Sequence, residues 1–564
     1  MGQITGGQLA AEALEKKGVS HIFTLSGGHI TPIYQYLVNT SITMFDTRHE
    51  QSALFMAEAW GKLTRKPGVA MVTAGPGFTN SLTGVASASF SNTPLVMIAG
   101  CVGLNAREKL DLQDMRQAAT IEPMVKKAFV CLKTERIPEY VDMAFRTAVS
   151  GRPGPVYLEL PVDVLNASVE GDSVRHYNTS VMNTPVDIIG AARLVDMLEK
   201  AQKPIVIAGS GAWYADAGAE IKALAERAGL PVFTSLSGRG VLPDTHDFCF
   251  ESSLVIRPGA ALSALADTDL VIILGTRISL FYMFGDVINP SAKLIQVDIQ
   301  ADEIGRNRSV DLGIISDIRA LVRECNAVLE RRGKGGSLKE KFRPWIEYLS
   351  LMKSQGKGFA DLNWKSNDTP IHPMRLMREI DDFMNREDDI VVADGGDTTT
   401  WMGMTRTVRK AGHYLDYGLY GSLGVGLPYA NAAKLLYPDK RVLLVTGDGS
   451  VGFNFMEFET ALRKGLHIVV IIANDLGWGM IRHSQEIRMG KAIETGTWIG
   501  KVAYEKMVEG LGGKGFYVER PEEIRPALEE AFTFSVPVCI NVMTDPTTVS
   551  PGSMALAGIG GYTG

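Results

Sequence analysis

The sequence predicts an α/β protein of three doubly wound parallel-sheet domains. Three observations carry this. Short apolar runs alternate with helical patterns along most of the chain, the signature of parallel α/β architecture. At 564 residues the chain is too long for a single core. Finally, one apolar run ends in Gly447-Asp448-Gly449-Ser450 and the next in Asn474-Asp475, so adjacent parallel strands would bring both tips to one crevice.

In chain order, His21–Leu25, Ile42–Thr47, Gly68–Thr73, Pro94–Ala99 and Pro155–Leu160 read as the strands of a first domain, residues 1–168. A polar, turn-rich stretch from Asn166 to Pro185 reads as a linker. The second domain, 186–332, has strands at Pro204–Ala208, Leu270–Gly275 and Lys293–Ile299. A charged, glycine-rich break at Arg331–Ser337 leads into a helical connector that runs to about Asn367. The third domain, 368–545, has strands at Ile390–Gly395, Arg441–Gly447, His467–Asn474 and Val538–Met543, with a helix expected over Phe453–Lys464. The Gly-, Ser- and Thr-rich tail, 546–564, is either a disordered end or a lid.

Composition is that of a soluble enzyme, 45% hydrophobic and 21% charged. A net charge of −6 offers no electrostatic attraction to nucleic acid or an acidic membrane. Five scattered cysteines, odd in number and without metal spacing, read as buried thiols of a reducing compartment. With no apolar leader and no stretch long enough to span a bilayer, the expectation is a cytoplasmic protein.

The glycines at 447 and 449 allow the backbone to approach a diphosphate without a Cβ in the way, and Ser450 opens a helix whose N-terminus attracts anions. Two oxygen side chains and a backbone carbonyl at a strand end suit Mg²⁺, completed by water and substrate phosphates. This spacing resembles the thiamine diphosphate (ThDP) binding motif. The resemblance implies Asp448, Asp475 and the Gly477 carbonyl as Mg²⁺ ligands, and Gly447, Gly449, Ser450, Trp478, Gly479 and Met480 as cofactor neighbours. That family normally has Asn at the second ligand position. Either Asp475 takes that place or the register shifts to Asn474; the gapless flanks favour Asp475.

Three successive α/β units, the last with this motif, are the plan of the pyruvate oxidase and acetolactate synthase-like ThDP enzymes. Those enzymes need a carboxylate on the aminopyrimidine ring, and Asp46-Thr-Arg-His-Glu50 matches the segment that supplies it, implying Glu50. The turn Thr73-Ala-Gly75-Pro-Gly matches the segment beside the pyrimidine of a partner subunit. A homodimer is thereby implied at minimum, commonly a homotetramer, with sites between subunits. In Tyr417–Gly426, Leu423 matches the bulky residue beneath the cofactor and Gly421 the carbonyl facing its amino group. Thr398 and Thr399 would offer hydroxyls and amides to the diphosphate.

Over nearly the full length the motifs are most similar to those of benzaldehyde lyase, which implies that His29 and Gln113 orient a substrate hydroxyl and relay protons. The implied activity is a carbon–carbon lyase or carboligase acting on 2-hydroxy ketones and aldehydes. Tyr417 replaces a His of that group, and Met480 a smaller residue, so the pocket is expected to suit short aliphatic acyl groups. Trp478–Gln485 also looks like acetolactate synthase, and other segments recur in oxalyl-CoA decarboxylase and 2-hydroxyacyl-CoA lyase. A non-catalytic subunit of this fold is the remaining alternative, and an intact Glu50 argues against it. In the middle domain, Ile207–Ala212 falls short of a dinucleotide fingerprint, and FAD stays open without support.

Overall fold

The computed structural model describes residues 2–175, 177, 179, 186–252 and 259–558. It contains three six-stranded, all-parallel sheets and one two-stranded antiparallel ribbon. By their contacts the residues form two compact units: Met1–Met182 with Tyr417–Asp439 and Gly452–Ile468, and Asn183–Asp416 with Lys440–Val451 and Val469–Gly564.

The first unit holds β1 (Gln3–Thr5), β2 (His21–Thr24), β3 (Thr43–Asp46), β4 (Gly68–Val72), β5 (Leu95–Cys101), β6 (Ala128–Val130), β7 (Pro155–Pro161) and β8 (Ser168–Glu170). The sheet order is β3-β2-β4-β5-β7-β6. β1 and β8 pair antiparallel, so the beginning of the expected linker is instead a ribbon that ties residues 168–170 back to the N-terminus. The five helical residues Phe55–Ala59, like every residue of β4, β5 and β7, are buried, which is why the strands read as nearly continuous apolar runs. Two later segments pack here as well. The helix Gly426–Leu436 meets the helix Glu50–Thr64 through Tyr429, whose hydroxyl is 2.8 Å from Lys62 Nζ and whose ring is 6.3 Å from that of Phe55. The Ser52 hydroxyl lies 3.0 Å from Asn454 Oδ1, and Arg463 bonds Asp46 at 2.7 Å.

The second unit holds two sheets. One is formed by β9 (Pro204–Ala208), β10 (Val232–Thr234), β11 (Cys249–Ser252), β12 (Leu270–Leu274), β13 (Lys293–Asp298) and β14 (Leu312–Ile315), in the order β11-β10-β9-β12-β13-β14. Alternate residues of β9 enter two separate cores: Val206 and Ala208 one, Ile205 and Ile207 the other. Both faces are therefore covered by helices, as a parallel sheet requires. The other sheet is β16-β15-β17-β18-β20-β19, from β15 (Ile390–Asp394), β16 (Tyr414–Leu415), β17 (Val442–Gly447), β18 (Val469–Asn474), β19 (Lys514–Val518) and β20 (Val538–Met543). The helical connector is present as Gly335–Trp364.

One helix differs from expectation. Instead of a single helix over Phe453–Lys464, the chain makes a four-residue turn at Asp448–Val451, a 3-10 turn at Gly452–Asn454, and a helix at Glu457–Arg463. The expected tail contains a helix, Pro551–Gly558; its last six residues lie outside the described set. All five cysteines are buried, and none is in a disulfide. Among the described residues no helix is long and apolar enough to cross a membrane.

Candidate active site

Each sheet winds outward in two directions, which leaves a crevice at the carboxyl ends of the strands where the winding reverses. In the first sheet the reversal lies between β2 and β4. His29 sits in a 3-10 turn after β2, and its Nδ1 is 3.1 Å from the Thr73 hydroxyl that follows β4, so this bond spans the crevice. Burial holds the His29 pKa below the ordinary imidazole value, against the opposing charge of Asp111. Glu50 begins the helix after β3 and is only 7% exposed. Asn80 Nδ2 donates to Glu50 Oε2 at 3.0 Å, while Oε1 would be 3.4 Å from a methyl placed on Gly77.

Gly75 follows β4 with φ of +59°, and its Cα faces Gln113: a Cβ there would lie 2.8 Å from Gln113 Cβ. Gln113 itself adopts φ of +67°. Four residues on, Gln117 is fully buried and holds this corner. Its Oε1 accepts from the Gly75 amide at 2.8 Å, and its Nε2 donates to the Gly100 carbonyl and the Tyr157 hydroxyl at 3.1 and 3.0 Å. Glu50, His29, Gly75 and Gln113 thus gather at one strand edge. Gly421 and Leu423 belong to the same unit through Tyr417–Asp439, where Asn454 Nδ2 donates to the Gly424 carbonyl at 2.8 Å.

The reversal in the third sheet lies between β15 and β17, and the second cluster is there. Thr398 and Thr399 lie in the first turn of the helix after β15, and Thr398 Oγ1 would be 3.3 Å from a methyl on Gly447. Asp448 follows β17 and is 2% exposed. Its Oδ1 accepts from the Gly449 amide at 2.9 Å, and the Tyr504 hydroxyl donates to its carbonyl at 3.0 Å. Gly449 lies against the Trp478 ring, with room for no methyl: one would lie 2.7 Å from Cε3. Ser450 is buried in the same turn. Met480 lies against Gly396, and Gly479 against Asp475 and Asp397. The Trp478 amide donates to the Thr497 carbonyl at 2.8 Å, which pins the Gly477 turn.

Asn474 and Asp475 take different directions. Asn474 is fully buried, with Nδ2 on Asn541 Oδ1 and Oδ1 accepting from the Leu476 amide, both at 3.1 Å. Asp475 interacts with Asp448 instead. Burial and then the Asp475 charge push the Asp448 pKa up to about 8; burial raises Asp475 too, although Arg482 opposes this. Asp448 Oδ2 and Thr399 Oγ1 are buried with no hydrogen-bond partner among the described residues.

These features fit a divalent cation and a polyphosphate. Two carboxylates held together either share a proton or take a cation between them, and the unpartnered oxygens have acceptor and donor capacity to spare. Among the described residues no group of three His, Cys, Asp or Glu side chains forms a metal site. Two carboxylates, a carbonyl and phosphate oxygens are the ligand set Mg²⁺ takes.

Three neighbours of this cluster were not anticipated from sequence. Asp397, one residue before Thr398, accepts from His483 at 2.8 Å and from the Ser550 hydroxyl at 2.8 Å. His483 and Arg482 both reach the Pro546 carbonyl, and Arg482 Nη2 also lies 3.3 Å from Asp475 Oδ2. The signal was their spacing: residues 482 and 483 stand three and four positions past Gly479, one turn along the same helix face.

The middle sheet reverses between β9 and β12, but its crevice is closed by backbone. The Gly211 amide donates to the Gly275 carbonyl at 2.9 Å, and a methyl on Gly211 would lie 2.7 Å from Gly275 Cα. The glycine cluster at 209–211 therefore serves loop-on-loop packing.

Three protein-family descriptions match in chain order: Thiamine pyrophosphate enzyme, N-terminal TPP binding domain, over residues 4–120; the central domain, over 191–325; and the C-terminal TPP binding domain, over 394–542. The acetolactate synthase large subunit IlvG of Mycobacterium tuberculosis is 33% identical over 98% of both chains. A 2-hydroxyacyl-CoA lyase of Arabidopsis thaliana is 31% identical over 96% of each, and human 2-hydroxyacyl-CoA lyase 1 is 29% identical over 96% of this chain and 95% of its own.

Proposed function

The chain belongs to the thiamine pyrophosphate enzymes of the pyruvate oxidase and acetolactate synthase-like superfamily, and on that premise we propose that it is a Mg²⁺-dependent carbon–carbon lyase and carboligase that cleaves or forms 2-hydroxy ketones. The observation that carries this reading is the corner at the end of β2 and β4. It collects Glu50, His29 and Gln113, one buried acid, one imidazole and one hydrogen-bonding amide, around Thr73 and Gly75.

When bound, ThDP would supply a nucleophilic carbon and Mg²⁺ would neutralise its diphosphate. Asp448, Asp475 and the Gly477 carbonyl would hold the metal, and Thr398, Thr399 and Ser450 the diphosphate oxygens. Gly447 and Gly449 leave room for its approach, and Trp478 and Gly479 shape the floor. Gly421 and Leu423 would meet the aminopyrimidine end. Glu50 would hold and return a proton on that ring, with Asn80 keeping one carboxylate oxygen in place. His29, kept largely neutral by burial, can accept a proton from a carbinol oxygen and give it back; Gln113 would orient that oxygen. As in the family at large, the working unit would be a homodimer or homotetramer with sites shared between subunits.

The acyl side is supported by a cleft of about 240 Å³ between the helices Gly479–Met489 and Pro551–Gly558. Met480, Ile481 and Met489 make it mostly apolar, which suits an apolar acyl group, and the bulk of Met480 favours a short one. The test is release of aldehyde from acetoin and from benzoin by protein loaded with ThDP and Mg²⁺, with no 2-keto acid present. Aldehyde should appear, faster from acetoin. No aldehyde from either, with cofactor bound, would overturn the reading. A second reading, decarboxylation of a 2-keto acid before ligation, is favoured by the acetolactate synthase relatives; CO₂ release from pyruvate would select it.

A further inference from the structure

Asp448 is buried and Asp475 half-buried beside it at the neighbouring strand end, so the pair concentrates negative charge whenever both are ionised. With one Mg²⁺ between them the site would be neutral, and a diphosphate would meet no net attraction. The cation that changes this is Arg482. Arg482 is 8% exposed, its Nη2 is 3.3 Å from Asp475 Oδ2, and its Nη1 would be 3.4 Å from a methyl on Gly477. The guanidinium therefore lies across the turn that carries both Asp475 and the Gly477 carbonyl. Its bond to the Pro546 carbonyl keeps it there, and His483, bonded to the same carbonyl and to Asp397, supports that anchor.

We propose that Arg482 is the charge-balancing and positioning residue of the metal and diphosphate site, allowing a second carboxylate to stand beside Asp448 without repelling the cofactor. The inference rests on the reading of Asp448 and Asp475 as metal ligands. It assigns Arg482 effects of opposite sign on two ligands, which a merely structural residue would not have. Removing its charge makes the pair of carboxylates a stronger trap for Mg²⁺ alone and a poorer one for a polyanion.

Isothermal titration calorimetry on the full chain tests this, first with Mg²⁺ alone, then with ThDP at saturating Mg²⁺. Arg482→Gln should bind Mg²⁺ at least as tightly as wild type and ThDP on the order of tenfold more weakly. Adding Asp475→Asn to that variant restores the charge balance and should bring ThDP affinity back to within about threefold of wild type. Wild-type ThDP affinity in Arg482→Gln, or a loss that Asp475→Asn does not relieve, would overturn the proposal. If the single variant does not fold, the double variant and Arg482→Lys, which keeps the charge, carry the test: roughly tenfold weaker ThDP binding in either would overturn it. Asp448→Asn separates the two readings. It should abolish Mg²⁺ binding, and unchanged binding there would remove the metal site itself, whatever Arg482 does.

Discussion

His483 Nδ1 stands 2.8 Å from Asp397 Oδ2, and Nε2 of the same ring stands 3.0 Å from the Pro546 carbonyl oxygen. A carboxylate and a carbonyl can only accept, so both ring nitrogens must donate, and the ring in this arrangement is an imidazolium. Burial works against that charge, but the bonds to Asp397 and Pro546 and the Asp397 charge outweigh it, and the pKa is raised. A raised pKa means that the latch stabilises the fold fully below the ordinary imidazole value and is lost as pH rises through the folded-state value. Thermal unfolding of wild type and His483→Gln, from about pH 5 to about pH 9, should show a gap that is widest at the acid end and closes toward the alkaline end. A gap independent of pH would mean that the ring is neutral.

Glu50 makes a sharper prediction because its neighbours fix its geometry independently of its charge. Glu50→Gln preserves shape and the possibility of a bond to Asn80. ThDP affinity should change little, while hydrogen exchange at the cofactor's thiazolium carbon, followed by NMR after acid quench, should slow by about 10²- to 10⁴-fold. Unchanged exchange would remove Glu50 from the proton path.

At Gly75 the backbone rather than a side chain is at stake. With φ of +59°, ψ of −113° and Gln113 in contact, an alanine there is both strained and crowded. Gly75→Ala should cost about 1–3 kcal/mol in denaturant unfolding. It should also lower kcat by displacing Gln113, and unaltered stability would show that the turn relaxes freely.

The central strands were legible from sequence because a parallel sheet covered on both faces demands continuous apolar residues, as in Leu270–Leu274 or Val469–Asn474. The edge strands were not. β6 is half-buried throughout, β14 and β19 mix exposed and buried residues, and β16 has two residues; none carries a run that distinguishes it from a loop. The ribbon of β1 with β8 joins segments far apart in the chain, and only long-range pairing makes it. The break of the expected 453–464 helix has a similar origin: Asn454 is held by Ser52 and Gly424, contacts that no local periodicity records.

The same division holds at the site. From the sequence Glu50, Asp448 and Asp475 could be named as candidates, because a diphosphate, a cation and a proton relay would each demand particular residue types beside glycines at strand ends. Only the tertiary structure decided that Asn474 turns to Asn541 while Asp475 turns to Asp448, and that Gln117 props Gly75. It alone also decided that Arg482, His483 and Asp397 meet at the Pro546 carbonyl and Asp475. The reason is that a strand end dictates which residues can be there, whereas the direction of a side chain and the partner it meets depend on packing between segments dozens of residues apart.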